Sequence, residues 1–288
     1  MNDIKRQIIA FGDGGLDDKT PLMDLYILAQ SNKTIPKVCL LPTASGDNGG
    51  LIQYFHKLFS RYPCTTDHLS LFNPKTSRIK DFLLEQDIIF VSGGHSKSML
   101  LLWQGYGIDA ILREAYERGT ILSGGSAGSV CWFDQCITDS LPEDLTVMNC
   151  LGILPYSNCP HYLSSERRSR YAKFIMNDEI KAGYAADDFA GLHFVNGELA
   201  RCISTRLSSK CYSVSKSNEK LAHQKLKTFF LGERKFQKEF IWSAPCFSYL
   251  EEPQSSETKP EETSPPEPEK TETPLLPEAN ATDNITKL

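Results

Sequence analysis

Four short, nearly unbroken apolar runs mark the first half of the chain: Gln7–Phe11 and residues 38–41, 87–91 and 120–122. A strand with one wet face alternates apolar with polar residues. A run of Ile, Val and Leu without alternation is what a parallel strand carries when both of its faces are covered. Each run is followed by a turn cluster and then a helical stretch, at residues 21–30, 51–60, from 98 onward and from Ala127 onward. Residues 78–84 and 108–118 read as two further amphipathic helices leading into strands. Repeated strand, loop and helix predict an α/β fold. Its form is a three-layer sandwich, with a mostly parallel central sheet and helices on both faces.

Beyond Gly128 the pattern loosens. Residues 192–195, Asn196-Gly197 and residues 198–203 predict a hairpin, because Asn-Gly supplies the positive φ angles of a tight turn. Residues 210–215 add a strand, and the basic stretch 219–239 is only weakly patterned. The expected organisation is a catalytic domain over 1–218, an extension of unassigned structure over 219–250 and a tail over 251–288. The tail is dominated by Glu, Pro, Thr and Ser, cannot bury enough apolar surface to offset its ordering entropy, and is expected to be disordered.

Composition narrows the function. A formal charge of −5 offers no basic field to gather phosphates, so nucleic acid is not an expected partner. The N-terminus lacks the pattern of a secretory signal and no segment is apolar enough to span a bilayer, so the expected location is the cytoplasm, with no membrane partner. Nine cysteines, none arranged as paired C-x-x-C motifs, are there expected to stay reduced and to bind no structural zinc.

The chemistry gathers at Gly124-Gly-Ser-Ala-Gly128, which centres Ser126 on a strand-to-helix nucleophile elbow. A serine hydroxyl needs a base to take its proton and donors to hold the oxyanion that forms. The glycine pair after the third run, Gly93 and Gly94, reaches the same edge of a parallel sheet and, with the Ala127 N–H, forms the expected oxyanion hole. His161, held behind a proline in Asn158-Cys-Pro-His-Tyr162, is the candidate base. His95 is a candidate substrate contact that equally suits a helix start. The loop Gly12-Asp-Gly-Gly15 lacks the spacing of a nucleotide fingerprint and reads as a wall of the pocket. The same elbow would also serve an esterase, or a binding scaffold without turnover.

In combination and order, the Ser92-Gly-Gly94 loop, the Ser126 elbow and Cys159-Pro-His161-Tyr resemble the peptidase E family of serine peptidases. That family includes the aspartyl dipeptidases, is related to the cyanophycinases and lies within the class I glutamine amidotransferase-like superfamily; the resemblance spans roughly residues 5–215. It implies Ser126 as nucleophile, His161 as general base and an acidic third member. The family's segment between nucleophile and histidine favours Asp139; the cyanophycinase pattern favours Asp188, with Asp187 third. An arginine-bearing helix after the histidine implies Arg170, then Arg167, as readers of a substrate carboxylate. The resemblance further implies hydrolysis of small peptides such as Asp-X dipeptides. No metal or other cofactor is required, and a homodimer is the one protein partnership expected.

Overall fold

The computed structural model describes residues 4–17, 19–140 and 144–248; the predicted tail over 251–288 lies outside the described residues. One sheet has eight strands: β1 (Gln7–Phe11), β2 (Lys37–Leu41), β3 (Thr65–His68), β4 (Ile88–Val91), β5 (Ile121–Gly125), β10 (Ala190–Val195), β11 (Glu198–Ser204) and β14 (Thr228–Phe230). Their order is β14-β11-β10-β1-β5-β4-β2-β3. All pairs from β1 to β3 are parallel, whereas β10 runs antiparallel to both β1 and β11.

The unbroken apolar runs are explained by two cores, one on each face. Ile8, Ala10, Cys39, Leu41, Ile89, Val91 and Leu122 enter the first; Ile9, Phe11, Val38, Leu40, Ile88, Phe90 and Ile121 enter the second. Each buried Ile, Leu or Phe contributes about 2 kcal/mol of transfer free energy, so neither face can be left to water. The second core is closed by α1 (Leu22–Ala29) and α2 (Gly49–Phe59). The first is closed by α3 (Ile79–Leu84), α4 (Ser96–Tyr106) and α5 (Ile108–Glu117), together with a second sheet.

That second sheet has six strands: β6 (Phe133–Thr138), β7 (Thr146–Asn149), β8 (Leu154–Cys159), β9 (Gly183–Ala186), β12 (Cys211–Ser217) and β13 (Lys220–Lys225), ordered β13-β12-β9-β8-β6-β7. One face meets the first sheet through Phe194, whose ring lies 5.6 Å from Phe133 and 5.5 Å from Tyr184. Its other face, through Ile137, Cys159, Ala185 and Val214, is covered by Tyr171 and Ile175 of α7 (Ser165–Met176).

Two expectations change. The helix predicted from Ala127 onward is a single turn, α6 (Ala127–Val130), because Trp132 and Phe133 are drawn into the first core as β6 begins. Residue 218 is also no boundary: β13 pairs with β12, β14 pairs with β11, and Phe236 of α8 (Arg234–Gln237), Ile241, Cys246 and Phe247 fill the second core. All six β13 side chains are exposed, so that strand carries no apolar rhythm to predict it.

Candidate active site

The elbow is built where three parallel strands end together. Ala10 of β1 and Val91 of β4 both pair with Gly124 of β5, so the loops after β1, β4 and β5 emerge side by side. At Ser126 the backbone takes φ 54° and ψ −116°, a conformation costly to a non-glycine residue, and it turns the chain from β5 into α6. The Ser126 N–H is fixed by the carbonyls of Phe11 (3.2 Å) and Gly12 (3.0 Å). Gly128 answers for the small residues of the motif: a Cβ there would stand 2.1 Å from the Val91 carbonyl oxygen, so any side chain would push α6 off β4.

The other half of the site comes from the second sheet. β8 and β9 are parallel neighbours with Cys159 opposite Ala185, so their chains leave the sheet at the same end. One exit passes through Pro160 to His161 at φ 54°; the other passes through Asp187 and Asp188 to Phe189 at φ 65°. The Tyr162 N–H donates to the Ala186 carbonyl at 3.1 Å, tying the two exits together. Gly12 presses in from the first sheet, where a Cβ would meet the Asp187 carbonyl oxygen at 2.3 Å.

These turns bring three side chains into line. His161 Nε2 lies 2.8 Å from Ser126 Oγ, and His161 Nδ1 lies 2.6 Å from Asp188 Oδ1. A carboxylate accepts at Nδ1 only from N–H, so the consistent tautomer has Nδ1 donating to Asp188 and Nε2 accepting from the serine hydroxyl. The imidazole and its acidic partner stay partly open to solvent, with the His161 side chain 28% and the Asp188 side chain 35% exposed. Asp187 is buried and turned away: its Oδ2 accepts from the Lys210 N–H at 2.9 Å, and burial pushes its carboxyl up from the usual range. It braces the turn that carries Asp188.

The remaining predicted residues sort differently. Asp139 lies apart from the histidine, with its side chain 73% exposed, and accepts from Arg167 at 2.6 Å. Arg170 pairs with Asp144 at 2.6 Å. Neither arginine is a free cation, and the carboxylate that meets the histidine is that of Asp188, not the expected Asp139. His95 caps α4, its Nδ1 accepting from the Ser98 N–H at 3.1 Å. A Cβ on Gly93 would sit 3.4 Å from Ser126 Cβ, so this loop borders the nucleophile. The flanking N–H groups of Ser92 and His95 bond to Leu41 and Ala44 carbonyls, while those of Gly93, Gly94 and Ala127 have no acceptor among the described residues.

Asp13, on the first glycine loop, is an addition. Donor atoms of Asp13, His161 and Asp188 all lie within 4.8 Å of one another. Among the described residues these three are the group that could hold a metal ion, but doing so would compete with the imidazole's two hydrogen bonds. The sequence marked this loop only as a wall, since an exposed Asp between glycines looks like any turn residue.

Residues 8–202 match peptidase family S51. A relative from Bacillus subtilis, named uncharacterized peptidase YgaJ, is 43% identical over 230 residues, covering 79% of this chain and all of the relative. Peptidase E of Haemophilus influenzae is 26% identical over 145 residues, covering 47% of this chain and 64% of that protein. Among solved structures, a peptidase from an acI-B1 Actinobacterium superposes with a TM-score of 0.58 at 16% identity, covering 80% of this chain and 96% of the other. No helix among the described residues is long and apolar enough to cross a membrane.

Proposed function

The chain belongs to peptidase family S51 and is a serine-type peptidase, and from that premise we propose that it cleaves small peptides through an acyl-enzyme formed on Ser126. The Ser126 hydroxyl attacks the scissile carbonyl while His161 Nε2 takes its proton. The same imidazolium then protonates the departing amine, and water repeats the sequence to free the acid. Asp188 is the third member: it holds the imidazole in the accepting tautomer and stabilises the imidazolium without taking the proton. The N–H groups of Gly93, Gly94 and Ala127 receive the oxyanion.

The observation that carries this reading is the chain of two hydrogen bonds through one imidazole, 2.8 Å to the serine and 2.6 Å to the aspartate. With Arg167 and Arg170 held by carboxylates, the reading extends to small peptides and not to a requirement for an acidic first residue. We assign the enzyme to the cytosol, where its nine cysteines, all free thiols, would stay reduced. Ser126→Ala should abolish turnover of a dipeptide panel; undiminished hydrolysis by that variant would remove the proposal.

A further inference from the structure

The position of Asp13 has a use that neither the triad nor the fold requires. Its carboxylate stands within 4.8 Å of donor atoms of both His161 and Asp188, at the mouth of the site and exposed to solvent. The placement is enforced. The Asp13 carbonyl accepts from the Phe189 N–H at 2.8 Å, the Gly12 N–H donates to Ala190 at 2.9 Å, and the buried Asp24 accepts from Leu16 (3.0 Å) and Asp17 (3.4 Å). One Asp13 oxygen takes the neighbouring Gly14 N–H at 2.8 Å, and among the described residues no Lys or Arg forms an ion pair with the carboxylate. The Arg206 guanidinium lies over the Phe189 ring at 3.4 Å. Two carboxylates thus border the imidazole, and of the two only Asp188 is hydrogen-bonded to it.

Where a substrate must sit is fixed by Ser126: its carbonyl carbon lies about 3–3.5 Å from the nucleophile before attack. The α-nitrogen of an N-terminal residue is two bonds, about 2.5 Å, from that same carbon, close enough to the nucleophile for a carboxylate that borders the triad to receive it. A side-chain ammonium on the same residue could reach the loop as well. Resting on the serine-peptidase reading, we propose that Asp13 is a specificity-determining residue that binds an ammonium group of the substrate residue being attacked. The Asp13–ammonium contact replaces the arginine–carboxylate contact that the sequence suggested, and it inverts the charge the site selects.

The test uses the full chain with Ser126→Ala, so that binding is read without turnover, and three probes: alanyl-alanine, N-acetyl-alanyl-alanine and N-acetyl-lysyl-alanine. Calorimetry should show at least one ammonium-bearing probe binding about tenfold or more tighter than N-acetyl-alanyl-alanine, as expected for a charge-assisted hydrogen bond. Tight alanyl-alanine identifies the α-ammonium as the group read; tight N-acetyl-lysyl-alanine identifies the side chain. Asp13→Asn in the same background keeps the shape and the Gly14 contact and should erase the advantage. Equal binding of all three probes, no measurable binding of either ammonium probe, or a preference that survives Asp13→Asn would overturn the assignment. Fluorophosphonate labelling of the protein with Ser126 intact separates the two claims. A labelled serine without ammonium preference removes only the role of Asp13, and an unlabelled serine with that preference removes only the catalytic reading.

Discussion

Two acidic segments lie on either side of His161 in the chain, and they are used in opposite ways. Asp187 and Asp188 follow β9, whose exit runs beside that of β8, so the backbone itself delivers a carboxylate to the histidine. Asp139 and Asp144 lie between β6 and β7 and point to Arg167 and Arg170 of α7. The first segment is packed: Asp187 is buried, Gly12 leaves no room for a Cβ, and Phe189 is held at positive φ. The second is open, with the Asp139 and Asp144 side chains 73% and 65% exposed. Chemically identical groups thus acquire different work because one is aimed by a packed sheet edge and the other is left to pair with whatever cation the surface provides.

The largest effect should come from the inner acid. Asp188→Asn should lower kcat about a thousandfold or more, because an amide favours the wrong imidazole tautomer and cannot stabilise the imidazolium. Displacing that acid without altering it should rank next. Gly12→Ala drives a methyl group against the Asp187 carbonyl, and both a loss of roughly 2 kcal/mol in urea unfolding and a fall of about a hundredfold in kcat are expected.

A third prediction concerns the buried carboxyl of Asp24, which receives the Leu16 and Asp17 N–H groups beyond the first glycine loop. Burial raises the Asp24 carboxyl from 3.8 to about 7, so folding takes up a proton there and stability falls as pH rises from about 4 to 7. Burial lowers the His193 imidazole from 6.5 to about 3, so its contribution is present above 6.5 and is lost as pH falls toward 3. The two slopes oppose each other between pH 4 and 6.5. Asp24→Asn removes one of them, and urea midpoints should then rise more steeply with pH across that window, by an amount on the order of a few kcal/mol in total. An unchanged slope would contradict the assignment. The smallest effect belongs to the outer segment: Asp139→Asn removes a carboxylate that is 73% exposed, and stability should move by less than about 1 kcal/mol, with kcat/KM for acidic against neutral dipeptides changed less than about threefold.

The first sheet was legible because its buried strands have no polar alternation, and the elbow because steric closeness at Gly128 leaves its mark in the residue types themselves. His161 was legible through its proline. Of the second sheet only β12 was read, as a strand over 210–215: β7 is mostly half-exposed and β13 wholly exposed, so neither carries a hydrophobic period. The choice among Asp139, Asp187 and Asp188 also lay beyond the sequence. It depends on the register of β8 against β9 and on positive φ angles at His161 and Phe189, residues whose identities do not advertise a left-handed backbone. The ion pairs of the two arginines were hidden in the same way, since their partners Asp139 and Asp144 are far from them in the chain.

The central claim is that an imidazole from the second sheet activates a hydroxyl from the first. The most direct measurement is the rate and site of fluorophosphonate labelling, read by mass spectrometry, in the native protein and in His161→Gln. The account predicts a label on Ser126 whose formation slows by at least about a thousandfold in the variant. A label on another residue, or an undiminished rate without the imidazole, would contradict it.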